Sequence, residues 1–260
     1  MVSVPLEYQP LDRKGMRVVC LIPSFNEEGK IGPSAAGFLK VGEIDEVVVI
    51  DDGSTDGSLE EARATGATVI TRERPASIGT KVMTGATYRT GIDYALEKKY
   101  DIIVTASGNN KDHADQTHRL LRPVIEQGYD YIQGSRYLPG GEAGKLPMHR
   151  VVCTRLYPFL IRMMLGFPAT EGTNGFRAFR ASLFNDTRIN LWQDWLDGVE
   201  LEYYLYVQAV RLGYRVGEVP VSKTYPTVKM KNYRTYTKAK PWEILKNLKP
   251  IFYLTLGVRK

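Results

Sequence analysis

Two polar segments of the chain follow apolar runs, and both carry acids that could bind a ligand. In SFNEEGKIG, the residues Asn26, Glu27 and Glu28 follow the run RVVCLIP. Acids at the start of a helix offset its macrodipole, so this segment taken alone could be simple capping. In DDGSTDGS, the first two residues are Asp51 and Asp52. Adjacent carboxylates at a strand end repel each other, so we interpret them as acceptors for a nucleobase or a ribose rather than as turn residues.

The elements that must position these acids alternate along the chain. Short apolar runs rich in branched residues predict buried strands at residues 17–23, 46–50, 67–71, 101–105 and 130–133. Helices are predicted at residues 60–65, 80–98 and 115–127. This alternation predicts an α/β fold with a mostly parallel sheet flanked by helices. Ligands bind such sheets at the carboxyl ends of the strands, so the polar loops belong to one rim.

The composition is that of a single globular domain. The chain has 260 residues, of which 43% are hydrophobic and 25% are charged. It has no apolar leader and no run of about 18 apolar residues, so we expect neither a secretory signal nor a spanning helix. Cys20 and Cys153 lie in apolar contexts and predict buried, reduced thiols, which fits the cytoplasm.

The positive charge is concentrated near the C-terminus. The net charge is +6, and ten Lys and Arg residues against one acid fall within residues 221–260. Such a region favours an anionic partner, either a phosphate-bearing ligand or a membrane surface. We do not expect nucleic acid, because the basic region lacks a recognisable recognition module.

The segments IPSFNEE and VIDDGSTD together resemble the nucleotide-binding half of family 2 glycosyltransferases, which have the GT-A (Rossmann-like) fold. The resemblance implies an activated sugar, UDP- or GDP-linked, as donor. It also implies a set of residues that line the base and ribose site: Pro23, Phe25, Asn26, Glu27, Asp51 and Asp52.

The resemblance further implies a pair of metal-binding aspartates after the strand that ends at Thr105. Here VTASGNNK places Ser107 and Asn109 at the acidic positions and Lys111 at a glutamine position. Three interpretations stay open. Lys111 could supply the charge of a metal beside the diphosphate; Asn109 and Asp112 could bind Mg²⁺ or Mn²⁺ more weakly than two aspartates would; or the site could be inactive.

The second half of the chain resembles dolichol-phosphate mannose synthase and related polyprenyl-phosphate glycosyltransferases. The resemblance is carried by GSRYLPGG, MHRVVCTR and TNGFRAFR, and it implies that Arg136, Arg150 and Thr154 hold the lipid phosphate. The planar fork of arginine suits phosphate. Arg150 and Thr154 are four residues apart, so on a helix they share a face.

Other polar residues are expected near the diphosphate and the transferred sugar. By resemblance, Thr173, Asn174 and Arg177 lie there together with Ser107, Asn109 and Lys111. Arg234 and Lys238 are candidate substitutes for cations that family members carry after the last strand, although the spacing differs.

Three acids lie where related enzymes place a base or a sugar-binding acid: Asp197, Glu200 and Glu202. A phosphate acceptor is already ionised, so it needs no strong base and none of the three is assigned that role. A hydroxyl acceptor would need one of them.

Two regions could contact a membrane. Residues 151–167 are strongly apolar but are interrupted by Arg155 and Arg162, which suits either a core helix pair or an amphipathic segment at a membrane surface. The aromatic and basic residues 241–260 could lie flat on a membrane or pack on the domain.

We therefore expect a GT-A domain over residues 1–221 and a basic extension over residues 222–260. The favoured function is inverting transfer of a sugar from a nucleotide-diphosphate sugar to a polyprenyl phosphate, by a peripheral protein at the cytoplasmic face of a membrane, with Mg²⁺ or Mn²⁺ as cofactor. Two alternatives stay open: a glycosyltransferase with a saccharide or small-molecule hydroxyl acceptor, and a non-catalytic subunit that binds nucleotide sugars.

Overall fold

A computed structural model describes residues 2, 4–73, 78–79, 83–146, 148–225 and 241–258, with the backbone alone for residues 148–150 and 241–247. Its strands are β1 (Val18–Ser24), β2 (Glu46–Asp51), β3 (Thr68–Thr71), β4 (Ile102–Thr105), β5 (Tyr131–Ser135), β6 (Arg177–Arg180) and β7 (Val216–Pro220). They form one sheet in the order β3-β2-β1-β4-β6-β5-β7. Only β6 runs antiparallel to its neighbours in this described sheet. The predicted mostly parallel α/β sheet is confirmed.

The helices are α1 (Ile31–Leu39), α2 (Ser58–Ala64), α3 (Thr84–Glu97), α4 (Thr117–Glu126), α5 (Met148–Leu165), α6 (Glu200–Arg211) and α7 (Pro241–Thr255). Each helix predicted from the sequence is present, with its ends shifted by a few residues. The apolar segment predicted at residues 151–167 forms one helix, α5, which continues through Pro158.

Helices cover both faces of the sheet, which explains why the central strands are apolar throughout. On one face α1, α2 and α4 bury Phe38, Ala62 and Leu121 against the sheet. On the other face α3, α5, α6 and α7 bury side chains that include Tyr157 and Tyr204. Strands buried on both sides need apolar residues at every position rather than at alternate ones.

The last helix packs on the domain over its described side chains. Leu248, Ile251 and Leu254 of α7 are buried in the core. The ring of Tyr253 lies 5.4 Å from that of Trp195, measured between centroids. Two arrangements were predicted for this region, on a membrane or packed on the domain. The side chains of residues 248–254 agree with packing on the domain. The division of the chain at residue 221 stays a prediction.

Candidate active site

The two adjacent acids at the end of β2 each have a protein partner. Asp51 accepts hydrogen bonds from the backbone of Gly53 and Ser54, at 3.1 and 3.0 Å, and from the Ser54 hydroxyl. Asp52 pairs with Arg72, whose Nε donates at 2.8 Å. The turn and the arginine offset the repulsion between the two carboxylates, so both have a structural role that the sequence did not reveal. Their contact with a nucleotide stays a prediction.

The loop after β1 is braced against the loop after β2. Asn26 adopts a left-handed backbone with φ 54°. Its N–H donates to the Ser54 hydroxyl and its side-chain oxygen accepts from the Thr55 N–H, both at 2.9 Å. The Glu27 N–H donates to the Ser58 hydroxyl at 2.7 Å. These contacts place the two predicted nucleotide loops side by side. At the same end of β1 lie the other two predicted contacts, the half-buried Pro23 and Phe25.

The loop after β4 packs closely on β1. A methyl group on Gly108 would lie 2.8 Å from the carbonyl oxygen of Pro23, so this approach requires glycine. The Ser34 hydroxyl donates to the Ser107 carbonyl at 3.0 Å, and the Ser107 N–H donates to Asp112 Oδ2 at 2.8 Å. The β4 loop therefore joins the nucleotide loops at one rim, as predicted for parallel strands.

A lysine that the sequence analysis did not single out occupies this rim. Lys223 Nζ lies 2.8 Å from Asp112 Oδ1, 3.0 Å from Asn174 Oδ1 and 3.4 Å from the Ser107 hydroxyl. These four residues are called the Lys223 cluster below. Burial alone would raise the pKa of Asp112, but Lys223 and the hydrogen bonds from Ser107 lower it overall. Lys223 lies just after the carboxyl end of β7, and this position is the feature of the sequence that could have identified it.

Backbone hydrogen bonds fix Lys223 in place. Asp112 and Lys223 form an antiparallel bridge. The Lys223 N–H donates to the Glu142 carbonyl at 2.9 Å, and the Thr224 N–H donates to the Lys111 carbonyl at 3.0 Å. Residues 221–225, which follow β7, are thus part of the candidate site.

The Lys223 cluster is a poor match for the divalent metal that the resemblance implies. The carboxylate offered as a ligand, Asp112, is already paired with an ammonium, and Asn109 adds a neutral oxygen that is buried without a hydrogen-bond partner in the described structure. The ammonium of Lys223 would repel a dication beside it, and it already neutralises the carboxylate that would attract one. Across the described ranges, no group of three or more His, Cys, Asp or Glu residues could hold a metal.

Lys111, the predicted metal substitute, lies beside an aromatic ring. Its Nζ is 5.1 Å from the centroid of the Tyr225 ring, a cation–π contact. Lys111 precedes Asp112 in the same loop, but the ion pair with Asp112 is made by Lys223.

Glu202 approaches the Lys223 cluster from the start of α6. A methyl group on Gly175 would meet Glu202 Oε1 at 2.8 Å and the Ser107 hydroxyl at 3.8 Å, so these groups surround the glycine. Burial raises the pKa of Glu202, and the positive charges of Arg177 and Lys223 oppose that rise without cancelling it.

Arg177 lies beneath this site. It is 2% exposed. Its Nε donates to the Asn174 carbonyl at 2.7 Å and its Nη1 to the Glu202 carbonyl at 2.5 Å. Its contact with diphosphate or sugar stays a prediction, and the observed hydrogen bond to Glu202 joins β6 to α6.

The contacts of Asp197 are made outside the Lys223 cluster, with residues of α3. The Asp197 carboxylate pairs with Arg89, and its carbonyl accepts from the N–H groups of Gly85 and Ala86, at 3.0 and 3.2 Å. Glu200 is half-buried in the first turn of α6. Glu202 shares with Ser107 the surroundings of Gly175, and a role for any of the three acids stays a prediction.

Arg136, predicted to hold the lipid phosphate, is a member of a buried ion pair. Its Nε donates to Glu171 Oε2 and its Nη2 to the Thr173 hydroxyl, both at 2.7 Å, while its Nη1 donates to the Tyr225 hydroxyl at 3.2 Å. The side chains of Arg136 and Glu171 are 4% and 0% exposed. Arg136 therefore orients Thr173 and Tyr225, and Glu171 is a partner that the sequence analysis missed.

The other predicted acceptor residues lie on α5. The Thr154 hydroxyl is buried and hydrogen-bonded to the Tyr137 hydroxyl, and Arg155 Cζ lies 4.5 Å from the centroid of the Tyr137 ring. Arg150 lies one turn before Thr154 on this helix. Arg234 and Lys238 lie outside the described residues.

One face of α5 is apolar and exposed. Tyr157 and Ile161 face the core. The opposite side presents a line of residues at i, i+4, i+7 and i+11 that are 36–63% exposed: Val152, Leu156, Phe159 and Met163. We call these four the α5 stripe. The segment is thus one helix rather than the predicted pair, with one face in the core, and contact of its exposed face with a membrane stays a prediction. No described helix has the length and apolar character needed to cross a membrane.

Comparisons with known proteins agree with this fold. The model of a family described as glycosyl transferase family 2 matches residues 19–188. An undecaprenyl-phosphate mannosyltransferase of Micrococcus luteus is 33% identical over 216 residues, covering 80% of this chain and 83% of that protein. A polyprenol monophosphomannose synthase of Mycolicibacterium smegmatis is 28% identical over 218 residues, covering 82% and 79%. The glucosyl-3-phosphoglycerate synthase from Mycobacterium tuberculosis, solved with Mn²⁺, UDP-glucose and phosphoglyceric acid, aligns over 95% of this chain and 82% of that chain, with a TM-score of 0.68 and 19% identity.

Proposed function

Because the chain belongs to glycosyltransferase family 2, we propose that it transfers a sugar from a nucleotide-diphosphate sugar to a polyprenyl phosphate. The structural observation that carries this proposal is the α5 stripe, which lies on the same helix as the predicted phosphate ligands Arg150 and Thr154. The two polyprenyl-phosphate mannosyltransferases among the relatives support the same acceptor.

The α5 stripe suits a lipid acceptor for a physical reason. A prenyl chain and the bilayer around it are apolar, and burying one large apolar side chain in them contributes about 1.5–3 kcal/mol. The exposed side chains of Arg155 and Arg162 flank the stripe and match anionic phosphate or lipid headgroups. The protein would then lie on the membrane surface through α5, with the lipid phosphate entering beside Thr154.

The proposed reaction is a single displacement with inversion. An oxygen of the lipid phosphate attacks the anomeric carbon from the face opposite the diphosphate. The bond from that carbon to the diphosphate oxygen breaks, and the nucleoside diphosphate leaves with the electron pair. The attacking oxygen is already ionised, so no proton has to be removed. The charge that develops on the diphosphate has to be offset by a cation at the rim.

One observation favours a second candidate acceptor. Glu202 is an acid whose pKa is raised by burial, and it lies close to Ser107 at the rim. These are properties of a general base, which a saccharide or small-molecule hydroxyl would require. This candidate keeps the donor site and changes the acceptor alone.

The test is transfer by the purified full chain from a panel of UDP- and GDP-sugars. We expect a lipid-linked sugar phosphate when vesicles contain polyprenyl phosphate, and no product with hydroxyl acceptors alone. Transfer to hydroxyl acceptors in the absence of lipid phosphate would overturn the proposal. Donor binding without transfer or hydrolysis on any acceptor would instead favour the non-catalytic subunit.

The Glu202→Gln variant separates the two acceptors. With polyprenyl phosphate we expect kcat to stay within about tenfold of the wild type, because no base is needed. If the acceptor were a hydroxyl, loss of the base would cost about 10²- to 10⁴-fold. The measurement is steady-state kcat on both acceptors, and the exposed Glu60→Gln variant on α2 is the matched control.

The double variant Phe159→Ser/Met163→Ser tests the α5 stripe. We expect vesicle binding and transfer to vesicle-embedded polyprenyl phosphate to fall at least tenfold, because two apolar contacts with the bilayer are lost. Nucleotide binding should not change. The matched control is Leu39→Ser/Trp192→Ser, which removes two exposed apolar residues elsewhere on the surface. Equal loss in the control, measured by vesicle sedimentation, would argue against a specific role for α5.

A further inference from the structure

The ammonium of Lys223 contacts Ser107 and Asp112 in the loop after β4, where the family resemblance places a metal ion. Building on the proposed function, we propose that Lys223 supplies the positive charge beside the donor diphosphate, so that the chain binds nucleotide diphosphates and transfers the sugar without a divalent metal.

The first support is the set of atoms around the ammonium. Three oxygens surround Nζ: a carboxylate oxygen of Asp112 at 2.8 Å, an amide oxygen of Asn174 at 3.0 Å and the Ser107 hydroxyl at 3.4 Å. An ammonium has three N–H donors, and the 3.4 Å contact with the Ser107 hydroxyl is the longest of the three, so a phosphate oxygen would take that donor. Mg²⁺ takes six oxygens in octahedral geometry, with one or two carboxylates among them, and here the single carboxylate is already paired with the ammonium. The observed oxygens therefore fit a lysine better than a divalent metal.

The second support is the location of this buried pair. Lys223 and Asp112 have side chains that are 9% and 1% exposed. A buried ion pair contributes little to stability compared with apolar residues of the same size. Its position at the carboxyl ends of the strands, in contact with the β4 loop, is where this type of sheet binds ligands. A role in ligand binding therefore explains this ion pair better than a contribution to stability does.

The third support is the rigidity of the lysine. The antiparallel bridge to Asp112 and the hydrogen bond from the Lys223 N–H to the Glu142 carbonyl hold its backbone. A charge that is held in advance stabilises a leaving group without any reorganisation during the reaction. A lysine on a long unanchored loop would lack this advantage.

The experiment measures calorimetric binding of UDP and GDP to the full chain, in EDTA and with Mn²⁺. For the wild type, we expect the Kd of the nucleotide that binds to differ by less than threefold between the two conditions. In Lys223→Met, the Kd in EDTA should rise at least tenfold, and Mn²⁺ should restore part of the affinity because Asp112 is released. Lys98→Met, which removes an exposed lysine at the end of α3, is the matched control and should bind as the wild type does.

A double variant distinguishes the loss of the lysine charge from misfolding. Lys223→Met leaves the Asp112 carboxylate buried without its cation, whereas Lys223→Met/Asp112→Asn removes both charges. The double variant should have a Tm near that of the wild type, bind nucleotide at least tenfold more weakly in EDTA, and gain nothing from Mn²⁺. This pattern separates loss of charge from loss of structure, since a merely structural role would not change the response to metal.

Three outcomes would overturn the inference. One is wild-type binding that strengthens tenfold or more with Mn²⁺. Another is nucleotide binding by Lys223→Met that equals that of Lys98→Met. The third is a loss of binding in Lys111→Met with none in Lys223→Met. The acceptor proposal is tested separately, because normal nucleotide binding without lipid-phosphate transfer would overturn only that proposal. No binding of either nucleotide would overturn both.

Discussion

Replacing Arg136 with methionine is expected to lower the free energy of unfolding by about 3–5 kcal/mol, because it leaves the carboxylate of Glu171 buried without its cation. The Glu171 side chain has no exposed surface, and the arginine also donates to Thr173 and Tyr225. The measurement is urea unfolding at pH 7. The double variant Arg136→Met/Glu171→Gln should recover part of the loss, because the buried charge is gone.

The pH dependence gives this prediction a second measurement. Burial alone would raise the pKa of Glu171, but Arg136 and the hydrogen bonds from Thr173 lower it below its usual 4.5. The stabilisation from a lowered carboxyl pKa is present above pH 4.5 and is lost as the pH falls through the folded-state pKa. Without Arg136 the pKa rises, so the difference in stability between wild type and variant should narrow as the pH falls from 7 towards 4. A difference that stays constant over this range would show that packing, rather than the ion pair, is responsible.

The Gly85→Ala variant is expected to lose about 3 kcal/mol, the upper part of the range for overpacking. A methyl group at this position would lie 1.9 Å from the Leu196 carbonyl oxygen and 2.6 Å from that of Gly198. Both obstacles are backbone atoms, so no side chain can turn away to relieve the clash. The loop before α6 has to move, and the hydrogen bonds from Gly85 and Ala86 to the Asp197 carbonyl are lost.

The same substitution elsewhere should have the opposite sign. Gly37 lies within α1, and a methyl group there would meet Ala114 Cβ at 3.5 Å, an ordinary contact. Alanine in a helix interior is favoured over glycine by about 0.5–1 kcal/mol, so Gly37→Ala should stabilise the chain. Thermal unfolding of the two variants checks both predictions. Similar Tm values for Gly85→Ala and wild type would contradict the tight approach of α3 to the loop.

The parts of the fold that could be predicted from the sequence are those set by local patterns. The run EVVVI predicted β2, and the alternation of strands and helices predicted the parallel sheet. Local patterns do not specify which distant residue pairs with which. Arg72 beside Asp52 and Glu171 beside Arg136 therefore became visible only in the folded chain.

The candidate site likewise combines features that the sequence predicts with others that only the folded structure shows. The sequence motifs predicted that the loops after β1, β2 and β4 lie at one rim, and the structure places them there. Lys223 was missed because it begins a lysine-rich stretch that has the composition of a linker. The rule that predicted the other loops, that ligands meet the carboxyl ends of strands, applies equally to β7.

The place of Lys223 in the chain has a consequence for how the enzyme is made. Lys223 and the Ser107 hydroxyl are separated by 116 residues, and β7, which precedes the lysine, lies at the edge of the described sheet and pairs there with β5. Contacts between residues so far apart in sequence cost loop-closure entropy, which has to be overcome before the contacts contribute any stability. A nascent chain in which the nucleotide loops have already folded would still lack this cation. Under our proposal, full affinity for a diphosphate therefore arises only after the segment that follows β7 has joined the β4 loop.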